Sequence, residues 1–156
     1  MLRTFAITSV LLAAPAYAQD VASGDAAAGE SVFKQCAACH VVENDEGETL
    51  AGRNGKVGPN LYGVAMRTLG SYPDFRYSDA MVELGEGGTV WTEENFVGYV
   101  QDPTGWLRDE SGDSRARGKM AFKLGSEEDA KNVYAYLASL GPEIEGAEGQ
   151  EEKASE

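Results

Sequence analysis

Cys36-Ala37-Ala38-Cys39-His40 places two thiols one helical turn apart and an imidazole directly after the second. Two thioether bonds to the vinyl groups of a haem, with a nitrogen ligand to its iron, need that geometry, and the spacing is the c-type haem attachment signature. The chain has no further cysteine and no further histidine. A structural zinc site typically takes four Cys and His ligands, more than this chain holds. A redox dithiol normally follows a strand in a βαβ pattern, whereas here the pair closes a helical pattern. A plain disulfide leaves His40 and the long loops around it unexplained.

With haem attached, His40 is the proximal ligand and the opposite axial position needs another donor. Histidine is exhausted, and methionine is the remaining common donor. Once an N-terminal signal is removed, Met66, Met81 and Met120 are available. Met66 lies just past Gly58-Pro59 and Met81 in an expected short helix, and both read as core fillers, the usual role of methionine. Met120 sits in an extended loop between Gly118 and Phe122, far enough along the chain to approach from the other haem face. A His/Met pair fills both axial positions, and the soft thioether favours ferrous iron and raises the potential. That is the chemistry of electron transfer rather than of oxygen activation.

The elements that must position these groups come from one domain. Arg3, the apolar run Phe5 to Ala14 and the small-x-small site Ala16-Tyr17-Ala18 read as a cleaved secretory signal over residues 1–18. The run is short of the roughly 20 residues that span a bilayer, although an uncleaved anchor is the alternative. The mature protein is expected to begin near Gln19, to occupy the periplasm as a soluble monomer, and to fold over residues 19–142. In an oxidising compartment a free Cys-x-x-Cys pair tends to close into a disulfide, and attachment to haem consumes both thiols.

Net charge is −13, or −14 without Arg3. Residues 143–156 carry six glutamates against Lys153, a net −5, and have too little apolar content to fold. A disordered acidic tail is expected there, leaving about −9 on the body. Such a field excludes binding to nucleic acid or to an anionic membrane surface through overall charge.

Between these ends the pattern is helical. Ser23 or Asp25 can cap a helix with Ala28, Val32, Phe33 and Cys36 on one face. Residues 41–78 are glycine-rich and irregular, a length of loop that needs something large to pack on. Ser78 to Leu84 predicts a short helix ended by Gly85, Gly87 and Gly88. Thr92 caps another running to about Gln101, stopped by Asp102-Pro103, and residues 104–125 read as loop. Ser126-x-x-Asp129 is a capping box opening a helix with Ala130, Val133, Tyr134, Leu137 and Leu140 on its apolar face, stopped by Gly141-Pro142. The fold class is all-α, about four helices with long loops wrapped around one covalently bound haem.

Charge near the ligand loop departs from the average. Between Ser114 and Ser126 stand Arg115, Arg117, Lys119 and Lys123 without an acid, and Lys34 and Lys56 flank the other haem-facing segments. A basic ring on an acidic body would steer the haem edge towards acidic partner surfaces; alternatively these bases only solvate a loop.

Taken in order, Cys36-Ala-Ala-Cys39-His40, Gly58-Pro59-Asn60-Leu61-Tyr62-Gly63, Trp91, Tyr99-Val-Gln-Asp-Pro103 and Gly118-Lys119-Met120-Ala-Phe122 resemble a class I c-type cytochrome, close to the bacterial cytochrome c2 and c-550 proteins. The resemblance covers residues 25–141. It implies His40 and Met120 as axial ligands and a Pro59 carbonyl accepting the His40 Nδ1 proton. It implies Arg67, Tyr77 and Trp91 around the haem propionates, Tyr99 near the methionine sulfur, and a helix crossing of Gly29 and Phe33 against Val133 and Tyr136. Departures are extra residues around 43–52 and 104–114, Met81 where short members place an asparagine, and Thr104 and Gly105 where lysines often occur. The resemblance implies a non-enzymatic carrier passing single electrons from a bc1-type complex to a terminal oxidase or photosynthetic reaction centre. The competing expectation is a haem protein whose Met120 bond opens, making it a small-ligand sensor or peroxidase.

Overall fold

In the computed structural model, residues 21–53, 55–142 and 144 are described. The expected signal segment 1–18 and, apart from Ile144, the expected acidic tail 143–156 lie outside them. Helix α1, Ala26–Phe33, begins where the Asp25 carboxylate accepts from the N–H groups of Ala27 and Ala28, two donors a helix start leaves open. A single 3₁₀ turn, Cys36–Ala38, follows. Then come α2, Asp79–Glu86, α3, Glu93–Gln101, α4, Pro103–Ser111, and α5, Glu127–Leu140. Thr92 caps α3 through the Asn95 N–H, and Ser126 caps α5 through the Asp129 N–H.

Helices α1 and α5 form the frame. They cross so closely at Gly29 that a Cβ there would stand 1.9 Å from the Asn132 carbonyl oxygen. The buried Asn132 side chain accepts the Asp25 N–H at 2.7 Å, tying the start of α1 to α5. Phe33 packs against Tyr136 with ring centroids 5.7 Å apart. On the other side of α5 the fully buried Tyr134 donates its hydroxyl to the Trp91 carbonyl at 2.8 Å. That bond holds the segment before α3 over the core of Val133, Leu137, Leu69 and Phe96.

Three features differ from the sequence expectation. Residues 41–52 are not irregular: β1, Val41–Glu43, pairs antiparallel with β2, Thr49–Gly52, with a break in register after Val42. Asn44 shapes the turn by accepting from the N–H groups of Glu46 and Glu48, and Gly47 occupies the left-handed region at φ 80°. Strands this short carry too few residues for alternation to be visible. Secondly, α4 stands where a loop was expected. Asp102-Pro103 ends α3 and also starts α4: Asp102 accepts the Gly105 N–H, and proline suits the first helical position. Thirdly, α2 runs through Gly85, which is no stop. Its missing side chain lets α2 lie against the Leu69 carbonyl oxygen, 2.0 Å from where a Cβ would be. Among the described residues no helix is long and apolar enough to cross a membrane.

Candidate haem site

A cavity of about 360 Å³ opens between the 3₁₀ turn, the 57–67 loop, α2, α3 and the 119–124 loop. Cys36, Cys39, His40, Pro59, Arg67, Tyr77, Trp91, Tyr99, Lys119 and Met120 all line it. Cys36 and Met120, 84 positions apart in sequence, therefore converge on one space.

The attachment motif is pinned by backbone. The N–H groups of Cys39 and His40 both donate to the Cys36 carbonyl at 3.0 Å, and Gly58 donates to the Cys39 carbonyl at 2.9 Å. His40 Nδ1 lies 2.8 Å from the Pro59 carbonyl oxygen. A carbonyl only accepts, so Nδ1 carries the proton and Nε2 keeps its lone pair for a metal. Burial lowers the His40 pKa, opposed by that hydrogen bond, and the ring is neutral at neutral pH. Burial, and after it the neighbouring Cys39, push the Cys36 thiol up to about 11. That is the opposite of the depressed thiol of a reactive dithiol.

Gly58 shows that the pocket is shaped around the imidazole. A Cβ there would lie 2.2 Å from His40 Cε1 and 2.6 Å from Nδ1, so the ring is laid flat against bare backbone. The residues present fit a haem: two thiols at the cavity wall, a neutral imidazole with a free Nε2, a thioether, and apolar walls from Leu61, Val64, Phe96, Val100, Leu124 and Val133. Among the described residues no group of three or more His, Cys, Asp and Glu side chains gathers to hold a metal ion in another way.

The three methionines separate. Met120 lines the cavity, and Met81 is buried and lines it too. Met66 corrects the sequence expectation, because it is 40% exposed, has φ 60° and does not reach the cavity. Its backbone N–H is held by the Trp91 carbonyl, which leaves the side chain outside. Arg67 enters the cavity with its Nη1 donating to the Tyr62 carbonyl at 2.9 Å and its Nη2 to the Asn60 carbonyl at 3.2 Å. Its guanidinium sits 5.2 Å from the Tyr72 ring centre. Burial raises the Tyr77 phenol pKa, opposed first by Arg67, and burial pushes Tyr99 up to about 12.

The basic residues form no continuous ring. Arg115 meets Asp113, two residues before it and just outside the acid-free stretch, at 3.4 Å, and Lys123 meets the sequence-distant Asp102 at 2.8 Å. The Lys123 hydrogen bond is the main reason the exposed Asp102 carboxyl lies below its ordinary range. Lys119 borders the cavity and donates to the Arg76 carbonyl. Lys56 is exposed next to Val57, itself 76% exposed at the cavity mouth, and Arg117 is exposed. Lys34 lies apart, in an open groove with Arg53 and Tyr136.

Trp106 is a residue that sequence reasoning missed. It stacks on Trp91 at 6.0 Å and 25° and meets the Tyr99 edge at 5.8 Å, backing two aromatic walls of the cavity. Gly98 makes room for it, since a Cβ there would stand 2.6 Å from its ring. The spacing Pro103, Trp106, Leu107 is helical and was the available signal.

Comparison with known proteins gives one consistent result. A family model described as cytochrome c matches residues 26–141. The chain is 63% identical over 119 residues to a cytochrome c2 of Rhodovulum adriaticum, covering 76% of this chain and 94% of that one. It is 50% identical over 139 residues to a cytochrome c2 of Cereibacter sphaeroides, covering 88% and 94%. The crystal structure of cytochrome c2 from Rhodobacter sphaeroides superposes with a TM-score of 0.74 at 53% identity, covering 76% of this chain and 97% of that one.

Proposed function

The chain belongs to the cytochrome c family, which holds haem c covalently and carries electrons, and on that premise we propose a soluble periplasmic monohaem carrier with His40 and Met120 as axial ligands. Its electrons come from a bc1-type complex and pass to a terminal oxidase or a photosynthetic reaction centre. When bound, the haem supplies a one-electron ferric/ferrous couple. The observation that carries the ligand assignment is the convergence of His40, with Nδ1 committed to Pro59 at 2.8 Å, and Met120 on one cavity.

The chain's own groups supply the rest. Pro59 and Gly58 fix the plane and tautomer of the imidazole, so little reorganises when the iron changes charge. Apolar walls keep water from the axial positions. Arg67, Tyr77 and Trp91 offer a cation, a phenol and an indole N–H to the propionate carboxylates, which are costly to bury unpaired. Tyr99 lines the same cavity as Met120. With His40 and Met120 holding the iron, no coordination site would be left for a substrate, which is why a carrier is proposed rather than an enzyme. Lys56 and Lys119, beside the cavity, and the exposed Arg117 steer acidic partners towards the haem edge.

The deciding experiment is spectroscopic. Ferric protein at neutral pH should show the weak red band of iron–methionine ligation, and Met120→Ala should abolish it and lower the potential while haem stays attached. Met66→Ala and Met81→Leu should leave the band in place. A band missing from the unaltered protein, together with fast cyanide binding, would instead support the ligand-binding or peroxidase reading. Mass spectrometry of the exported protein should give a chain starting at Gln19 and heavier by one haem.

A further inference from the structure

The loop carrying Met120 is tied on both sides of the methionine, to α4 upstream and to α3 and the Asp102 junction downstream. Upstream, Arg108 Nε donates to the Ala116 carbonyl at 3.0 Å, and the Gly118 N–H donates to Thr104 Oγ1 at 3.1 Å. No slack remains there, because a Cβ at Gly118 would lie 3.2 Å from Pro103. Downstream, Lys123 Nζ meets Asp102 Oδ1 at 2.8 Å, and the Leu124 N–H donates to the Val100 carbonyl at 2.9 Å. Only residues 119–122 lie between these ties, and of these Lys119 donates from its side chain to the Arg76 carbonyl. Removing the upstream pair would free the chain from the end of α4 at Gly112 onwards, and a longer free segment has more open arrangements.

We infer that α4 is a clamp for the Met120 loop, with Thr104 and Arg108 as positioning residues that hold the thioether at the cavity. The inference rests on the reading of Met120 as an axial donor. The two upstream ties matter most. Ala116 is buried, at 6% exposure, and its carbonyl receives a charged donor, the stronger kind of hydrogen bond. The Lys123–Asp102 pair is more than half exposed on both sides and adds little. Leu107, fully buried one residue before Arg108, anchors α4 in the core, so the clamp is fixed to the body of the protein.

The test uses the haem-loaded ferric protein. Thr104→Val keeps the side-chain shape and removes the acceptor; Arg108→Met keeps the stem and removes the donor; Thr104→Ser keeps the hydroxyl. Cyanide can bind only when the methionine leaves, so its binding rate reads loop opening. Thr104→Val and Arg108→Met should each bind cyanide roughly tenfold faster, the factor carried by about 1.4 kcal/mol, and lose the red band at lower pH in alkaline titration. Thr104→Ser should match the unaltered protein. In the unaltered protein, the Gly118 amide should exchange with solvent as slowly as the Leu124 amide. Folded Thr104→Val and Arg108→Met proteins with cyanide rates within twofold of the unaltered one would overturn the clamp. So would an unprotected Gly118 amide, whether or not the variants fold. If Met120→Ala keeps the red band, the ligand assignment itself has failed, and the clamp falls with it by a different route.

Discussion

Gly58→Ala is the smallest change that should disturb the proximal ligand. The added methyl would lie 2.2 Å from His40 Cε1, 2.6 Å from Nδ1 and 2.7 Å from Nε2. Ordinary contact needs about 3.5 Å, so the ring or residue 58 must retreat by about 1 Å. Neither can move freely. The Gly58 N–H is held by the Cys39 carbonyl at 2.9 Å, and the next residue's carbonyl accepts from His40 Nδ1 at 2.8 Å. Overpacking costs about 1–3 kcal/mol and one hydrogen bond lost adds about 1 kcal/mol, which together predict a loss of about 2–4 kcal/mol. The assay is urea unfolding of the haem-loaded protein, with the red band followed alongside. Gly125→Ala is the control, because nothing lies within 4 Å of its Cβ position; it should be neutral or up to about 1 kcal/mol stabilising through the unfolded chain. Equal unfolding midpoints for the two variants, with an unchanged spectrum, would refute the idea that bare backbone at residue 58 seats the imidazole.

Gly29→Ala should cost about 3 kcal/mol or more by forcing α1 and α5 apart, since its Cβ would stand 1.9 Å from the Asn132 carbonyl oxygen; thermal unfolding within 1 kcal/mol of the unaltered protein would contradict the crossing. Tyr134→Phe removes the hydroxyl that donates to the Trp91 carbonyl at 2.8 Å and should cost about 1–2 kcal/mol in denaturant unfolding. Burial pushes Tyr134 and Tyr99 up to about 12 from 10.0, so the folded state holds these protons more tightly than the unfolded one. That stability is complete below pH 10 and is lost as pH rises towards 12, and Tyr134→Phe should flatten the decline; an unchanged slope would show that other groups set it. Electron transfer to an acidic partner should slow as ionic strength rises. Lys56→Gln or Arg117→Gln should slow it more than Lys123→Gln or Arg115→Gln, because Asp102 and Asp113 already neutralise the latter two; the reverse order would move the docking face.

Legibility followed the range of the interaction. Thr92 and Ser126 were readable as caps, and Asp25 as one of two candidates with Ser23, because each bonds an N–H no more than three residues ahead. Cys36, Cys39 and His40 were readable for the same reason: one turn of chain presents all three. Met66 was misplaced because residue type suggested burial, while the side chain's position depends on the Trp91 carbonyl that holds its backbone. The hairpin at 41–52 and the salt pairs of Arg115 and Lys123 escaped because their partners come from the fold or from short turns with no periodic signal. Asp102-Pro103 was recognised as punctuation, but it marks a start as well as an end.

The sequence alone determined the attachment chemistry, because attachment needs only residue types and spacing within five positions, and with histidine exhausted it made methionine the expected second donor. It also determined most helix starts, since capping is local. The tertiary structure alone decided which methionines reach the cavity, which bases stay uncompensated, and what the segments flanking Met120 bond to. Those outcomes depend on contacts between segments far apart in the chain, where a glycine or a proline acquires its meaning from what packs against it.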